Sequence, residues 1–241
     1  NVEGAAIATV AANALAGCIS LSVIVFRDNL IRWKREDLPL IIDSWRRILH
    51  VGLPSMASSL VAPVTTAFIT WQVSQFGQEA VAGFGVASRV EGLSLMAMMA
   101  LGAAVTPFTG QNFGAKQYDR VHEGMNFALR WCLFYGLAVA VVLFVSSEYI
   151  AMVFTQDETA IRTSTMHLTL VPWSYAFLGL SMVSVSAFNA IGKPTPGMVV
   201  SMTRTILVYA PLAFLLTWLL DLRGVFLAAF CANIIAGLLG Y

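Results

Sequence analysis

Charged residues are scarce in this chain. Lys, Arg, Asp and Glu together account for 11% of its 241 residues, whereas 58% are hydrophobic. Soluble domains carry about 25% charged residues, and a water-soluble fold cannot bury so large an apolar fraction. The net charge of +1 also provides no basic surface for nucleic acid. The composition therefore predicts an integral membrane protein.

Cysteines and catalytic motifs are equally sparse. The three cysteines lie in apolar segments, and their odd number and spacing fit neither a disulfide framework nor a metal site. The sequence has no HExxH or GxSxG motif and no paired acids within an apolar segment. His50, His122 and His167 lie near predicted membrane interfaces and do not cluster as ligands. We therefore predict no metal site, no cofactor and no enzymatic activity.

Seven apolar segments are long enough to cross a bilayer as helices, which takes roughly 20 residues. The connections after the first, third and fifth segments carry nine Lys and Arg residues, and those after the other three carry two. This asymmetry predicts that the first set of connections is cytoplasmic. The segments comprise residues 4–26, 52–74, 81–105, 125–145, 165–189, 196–218 and 224–241.

The first and the last segment are versions of one sequence. Residues 4–17 align without a gap on residues 224–237, with identities that include Asn13/Asn233 and Gly17/Gly237. Six crossings separate the two copies, so both run in the same direction and the repeat is parallel. Such a duplication predicts a transporter with two similar lobes. We expect this chain to hold one lobe and the last helix of the other.

The connection between the first two segments differs from the others because it is long and charged. Its apolar residues recur at helical spacing, opposite Asp43, Arg46 and Arg47, which predicts an amphipathic helix at the membrane interface. The predicted organisation is a last helix of an N-terminal lobe (1–26), a cytoplasmic linker with this helix (27–51) and a C-terminal six-helix lobe (52–241).

Five stretches resemble, in the same order, the multidrug and toxic compound extrusion (MATE) family. The most specific is Gly110-Gln111-Asn112-Phe113-Gly114-Ala115, which is similar to the Gly-Gln-Asn-x-Gly-Ala run after the second helix of each MATE lobe. The other four are Gly4-Ala5-Ala6-Ile7-Ala8-Thr9, Gly52-Leu53-Pro54, Phe188-Asn189-Ala190-Ile191-Gly192-Lys193-Pro194 and Ser201-Met202-Thr203-Arg204 with Pro211.

The resemblance implies an all-α integral membrane fold of twelve helices in two lobes. It implies secondary active efflux of drugs or organic cations in antiport with H⁺ or Na⁺, by a protein that is a monomer when full length. The implied partners are a cationic or amphipathic small molecule, membrane lipid and the missing N-terminal lobe. The implied location is a prokaryotic inner membrane, which the protein crosses several times.

One departure from the family concerns the coupling ion. In one MATE branch, acids on two helices of the C-terminal lobe help to bind Na⁺, but residues 52–74 and 165–189 contain no Asp or Glu. The principal coupling acid is therefore expected in the N-terminal lobe, outside this chain. An alternative function is a flippase for a lipid-linked or amphipathic anionic substrate, which Arg89 and Arg204 would favour as cations within predicted spans.

Glu91 is the one acid deep within a predicted span. A carboxylate there costs about 2.5–3.5 kcal/mol on insertion scales, so such residues commonly have a function or a partner. Ser88, Ser94 and Met98 share its helical face and could line a cavity for a cation or an amphipathic drug. Three interpretations stay open: a functional, proton-carrying acid, an ion pair with another helix such as Arg204, and a carboxylate that faces water.

Polar and aromatic residues on neighbouring spans complete the predicted pathway, since aromatic faces attract organic cations. For Trp173, near the outer end of its span, we favour an interfacial position instead. The candidate pathway residues are Glu91, Arg89, Ser88, Ser94, Met98, Thr66, Gln72, Tyr175, Ser181, Ser184, Asn189 and Arg204.

Overall fold

Every regular element in the computed structural model, which describes residues 2–27 and 40–241, is a helix. Helices suit hydrocarbon because they satisfy their backbone N–H and C=O groups internally. Two π-helical segments, Val23–Arg27 and Thr203–Tyr209, and one 3₁₀ turn, Val171–Ser174, interrupt them. The helices are α1 (Val2–Ser22), α2 (Leu40–Ser74), α3 (Gln78–Gly114), α4 (Tyr118–Phe154), α5 (Glu158–Leu170), α6 (Tyr175–Ala190), α7 (Pro194–Met202), α8 (Ala210–Leu220) and α9 (Leu222–Gly240).

Within the described ranges, seven stretches of helix are long and apolar enough to cross a membrane, which confirms the predicted all-α, multi-pass architecture. Two of the seven are composite. The 3₁₀ turn joins α5 and α6 into one span, and the π-helical segment Thr203–Tyr209 joins α7 and α8 into another. Both interruptions lie beside a proline, Pro172 and Pro211, whose nitrogen cannot donate to the preceding turn.

The chain divides into two compact units, residues 1–48 and residues 49–241. The first contains α1 and the start of α2, which begins at Leu40 in the segment predicted to be amphipathic. Its Ile42, Trp45 and Ile48 are exposed, as an interfacial helix requires. α2 then continues through Pro54 and Pro63 to Ser74. Most of the predicted linker charge, including Arg32 and Lys34, lies outside the described residues.

The core of the second unit surrounds the α5–α6 span. Of the most apolar 18 residues of that span, 67% are buried, compared with 22% in α3 and in α4. Fully buried Leu168 and Tyr175 pack there with Met98 of α3 and Phe226 of α9. The opposite faces of the surrounding helices are apolar and exposed, for example Phe134 at 76% and Trp218 at 82%. An apolar surface of this kind is suited to lipid.

Glycines allow three helices to approach the central span closely. A Cβ on Gly136 of α4 would lie 2.5 Å from the backbone nitrogen of Ala176, and one on Gly237 of α9 would lie 2.5 Å from the carbonyl oxygen of Phe177. Gly83 of α3 meets the backbone of Ala160 in the same way. Small residues at such crossings are how membrane helices gain van der Waals contact.

We expect Gly136→Ala to destabilise the full-length protein in detergent by about 1–3 kcal/mol, because the added methyl group overlaps the α6 backbone. Gly85→Ala is the matched control, since nothing lies within 4 Å of that position and alanine favours the helix. Thermal unfolding curves measure both. Equal midpoints for the two variants would contradict the close contact.

Candidate functional site

Glu91 does not stand alone in the core. Its Oε2 lies 3.1 Å from Nε2 of His167, so a residue of α3 and a residue of α5 share a hydrogen bond inside the bundle. The His167 side chain is 2% exposed and that of Glu91 is 25% exposed. Within residues 49–241, this is the one ion pair inside a span.

A small cavity of about 50 Å³ adjoins this pair. We call it the polar chamber. Its walls come from seven elements, and five of these, namely α2, α3, α5, the π-helical segment and α9, contribute a polar side chain. These side chains are Thr65, Glu91, His167, Arg204, Tyr209 and Asn233.

Two aromatic rings hold His167 in place. The imidazole lies edge-on to Phe84 and to Phe226, with ring centroids 5.6 and 5.0 Å away. Nε2 meets Glu91, and within the described chain Nδ1 has no hydrogen-bond partner. The pair can therefore share a proton in two ways, with Nε2–H donating to the carboxylate or with the protonated carboxyl group donating to Nε2.

Arg204 reaches the chamber from the π-helical segment. The wider turn of a π-helix inserts a residue into the helical repeat and changes the direction of the side chains that follow. A hydroxyl contact of 2.8 Å between Thr205 and Thr65 joins this segment to α2. Arg204 is half-buried and lines the chamber together with Glu91, so a fixed positive charge faces the region of the His167–Glu91 pair.

The 3₁₀ turn positions the side-chain amide of Asn233 in the chamber. Asn233 of α9 donates through Nδ2 to Ser174 Oγ at 2.9 Å, and Ser174 Oγ donates to the Val171 carbonyl at 2.7 Å. Asn233 therefore links α9 to the interrupted central span. In the sequence, this residue is one of the identities of the duplicated segment and carries no other signal.

Of the twelve candidate residues, the structure brings Glu91 and Arg204 to the chamber. Arg89 and Thr66 are exposed elsewhere on α3 and α2. Tyr175 is fully buried in the core, and its hydroxyl has no partner among the described residues. Met98 is also fully buried, where it packs against Gly179. Because Met98 is buried, it packs inside the core and does not present a surface to a substrate.

The other small polar candidates lie outside the chamber lining, and among the described residues Ser88 Oγ and Gln72 Nε2 have no hydrogen-bond partner. Ser94 donates to the Val90 carbonyl, and Asn189 accepts from Ser55 at 3.3 Å. Ser184 is buried beside a separate cavity of about 540 Å³ at the other end of α6. The candidates not brought into contact with Glu91 in the chamber are Arg89, Ser88, Ser94, Met98, Thr66, Gln72, Tyr175, Ser181, Ser184 and Asn189.

The structure corrects the interpretation of His167. Its place at the start of the apolar segment 165–189 predicts a position near an interface. The helix in fact begins at Glu158, where the Asp157 side chain caps it by accepting from the backbone nitrogen of Ala160 at 2.8 Å. Recognition of this N-cap would have placed His167 two turns further from the interface.

Comparisons with known proteins agree with this architecture. A family model described as MatE matches residues 54–215. The chain belongs to the MatE family. It is 26% identical over 240 residues to the "FAD transporter" of Shewanella oneidensis, covering 100% of this chain and 53% of that protein. It is also 23% identical to the "Probable multidrug resistance protein NorM" of Thermotoga maritima, covering 89% and 46%.

Solved MATE structures share the fold. A mutant of the Vibrio cholerae MATE transporter VcmN superposes with a TM-score of 0.90 at 30% identity, covering 98% of this chain and 54% of that one. The chain thus spans about half the length of the MatE relatives that it matches. The predicted family is confirmed, and the named relatives are transporters, which agrees with the prediction that the chain is not an enzyme.

Loss of either partner of the His167–Glu91 contact should destabilise the MatE protein. We expect Glu91→Ala and His167→Ala each to lower the free energy of unfolding by about 1–3 kcal/mol, because each leaves a polar group unpaired in the bundle. The double variant should cost less than the sum, with a coupling of about 1 kcal/mol. Denaturation in detergent measures all three.

The control cycle pairs His167→Ala with Glu123→Ala, which removes an exposed acid of α4. These two changes should be additive because the residues share no contact. Additivity of the Glu91 and His167 changes as well would contradict a direct interaction.

Proposed function

We propose that the full-length protein is a secondary active exporter that exchanges a cationic or amphipathic small molecule for H⁺. We propose that it acts as a monomer spanning a prokaryotic inner membrane. Membership of the MatE family and relatives named as multidrug resistance proteins support the class of transport. The His167–Glu91 contact beside the polar chamber is the observation that carries the choice of ion.

A proton suits this site better than Na⁺. The chamber offers one carboxylate and a histidine, and Arg204 on its wall repels a second cation. Within the described chain, no three His, Cys, Asp or Glu side chains are grouped to hold a metal ion. A proton, in contrast, needs one acceptor, and the 3.1 Å contact provides two.

The chamber is large enough for an ion or a few water molecules and too small for the substrate. A volume of about 50 Å³ holds a few water molecules, which need roughly 10–15 Å³ each, whereas ligand pockets measure about 300–1,000 Å³. The chamber therefore serves coupling, and the substrate binds to a surface that both lobes form. The exposed Thr66 of α2 remains a candidate for that surface.

In this mechanism Glu91 and His167 form a proton site of the C-terminal lobe. A proton added to the pair cancels the negative charge opposite Arg204 and weakens the attraction between α3 and the π-helical segment. Release of the proton restores that attraction. The principal coupling acid is proposed to lie in the N-terminal lobe, so the two sites would load and release protons in one cycle.

Export of an amphipathic anion is the second candidate function. The relative named "FAD transporter" aligns with the whole of this chain. Arg204 is half-buried at the chamber, and Arg89 is exposed on a span. Cations within spans are costly and are retained where they meet an anion. Flavin nucleotides carry phosphate, so they represent this substrate class.

The gradient experiment tests the proposed coupling. Full-length protein in proteoliposomes should transport ethidium when a proton gradient alone is imposed. A Na⁺ gradient imposed alone should give no transport. Ethidium fluorescence follows both reactions. Transport driven by Na⁺ at the same rate would overturn proton coupling, and no response to either gradient would overturn the antiporter itself.

The same assay examines the role of Glu91. Glu91→Gln keeps the size of the side chain and removes its charge, so the rate driven by the proton gradient should fall severalfold at matched protein amounts. Glu123→Gln provides the control because that acid is exposed near the start of α4. Unchanged transport by Glu91→Gln across pH would leave Glu91 a structural residue.

The choice between substrates is tested with Arg204→Gln. If the substrate is an anion, the wild type should export FAD and the variant should lose that export, since the guanidinium group attracts phosphate. If the substrate is a cation, the wild type should export ethidium and no FAD. Parallel uptake assays in inverted vesicles measure both compounds.

A further inference from the structure

A cavity with charges of both signs lies at the end of the bundle opposite the predicted cytoplasmic connections. It measures about 750 Å³ and lies between the end of α4, the start of α5 and the start of α9. We call it the outer cavity. Its charged side chains are Glu148, Glu158, Arg162 and Arg223.

These four charges are free to meet a ligand. Within the described chain, none of them forms an ion pair or a hydrogen bond with another side chain. The two arginines also line an adjoining cavity of about 440 Å³. They are the only Lys or Arg residues in the three predicted outer connections, and here they converge from two helices.

The start of α9 contributes backbone N–H groups near the arginines, and its N-cap residue Asp221 adds a negative charge to the lining of the adjoining cavity. No side chain caps this 19-residue helix, whose Leu222 and Arg223 line the adjoining cavity. The first backbone N–H groups of a helix carry partial positive charge and attract anions. Arg162 and Arg223 are therefore suited to a phosphate, while Glu148 and Glu158 are suited to an ammonium group.

The remaining walls and the surroundings of the outer cavity are apolar. Leu170, Leu220 and Leu227 form part of its lining. On α4, Val145 and Met152 share the helical face of Glu148 and are 72% and 48% exposed. The cavity therefore opens towards the lipid-facing surface of the bundle, at the depth where helices end and headgroups lie.

We propose that the outer cavity binds the headgroup of a phospholipid that carries a primary ammonium group, of the phosphatidylethanolamine type, from the outer leaflet. The phosphate lies against Arg162 and Arg223, the ammonium group donates to Glu148 and Glu158, and the first part of an acyl chain follows the leucines. An anionic lipid would satisfy the arginines and leave both carboxylates without a cation. A trimethylated headgroup keeps its charge but has no N–H to donate.

Native mass spectrometry of the full-length protein in detergent tests the proposal. At equal lipid concentration, the wild type should retain phosphatidylethanolamine in preference to phosphatidylcholine and phosphatidylglycerol. The variant R162Q/R223Q should retain about tenfold less phosphatidylethanolamine, because two charge-assisted contacts are lost. The variant E148Q/E158Q should lose the preference over phosphatidylcholine and still bind the phosphate.

A matched control removes two arginines from the opposite end of α4. Arg120 and Arg130 are both exposed there, so R120Q/R130Q loses the same charge without touching the outer cavity, and its lipid retention should equal that of the wild type. Thermal unfolding identifies any variant that fails to fold. If R162Q/R223Q does so, the preference measured with E148Q/E158Q decides the question.

Three results would overturn the proposal. They are equal retention by R162Q/R223Q and the wild type, no preference among the three lipids, and displacement of the lipid by soluble glycerophosphoethanolamine at the same concentration. The last result would identify a soluble zwitterion as the ligand. Lipid retention can be measured without transport, so failure here would leave the proposed exporter function untouched.

Discussion

Hydrocarbon offers a polar group no water, and this constraint governs both the helices and the site. Backbone groups are satisfied within the helices, and hydroxyl groups in the spans donate to carbonyls of the preceding turn, as those of Thr70 and Thr106 do. Glu91 cannot be satisfied in that way, because a carboxylate needs a donor from another element. His167 supplies the hydrogen-bond partner, so the packing of α3 against α5 forms the site.

Within residues 49–241, the two irregular backbone segments both line the polar chamber. The π-helical segment brings Arg204 and Thr205, and the 3₁₀ turn carries Ser174, the acceptor for Asn233. In a membrane, backbone that departs from the α-helix is tolerated where protein groups or a polar cavity surround it. The 3₁₀ turn and the π-helical segment each lie next to a proline, so the sequence encodes both irregular segments. Both contribute to the polar chamber beside Glu91.

The sequence predicts the spans and Glu91 well because both depend on local composition. Apolar length sets the number of spans, and a lone acid within one of them is conspicuous at once. The partner of Glu91 was out of reach, because helical periodicity gives the face of a residue and not the helix opposite. The apolar segment with His167 starts seven residues after its helix does, so composition alone puts this histidine at an interface. The π-helical turn that brings Arg204 to the chamber has no simple sequence signature. The burial of Met98 likewise follows from the close approach of α6 at Gly179.

The three glycine contacts also determine how this bundle can move. Gly83, Gly136 and Gly237 place α3, α4 and α9 against the backbone of the same central span, and backbone in such contact cannot slide without a clash. Shear between these helices is therefore blocked, and they must travel together as one rigid body. The π-helical segment has no such glycine contact and carries Arg204. Any internal rearrangement during transport should be concentrated there, because Gly224 of α9 is in the same kind of close contact with the α8 backbone at Leu216.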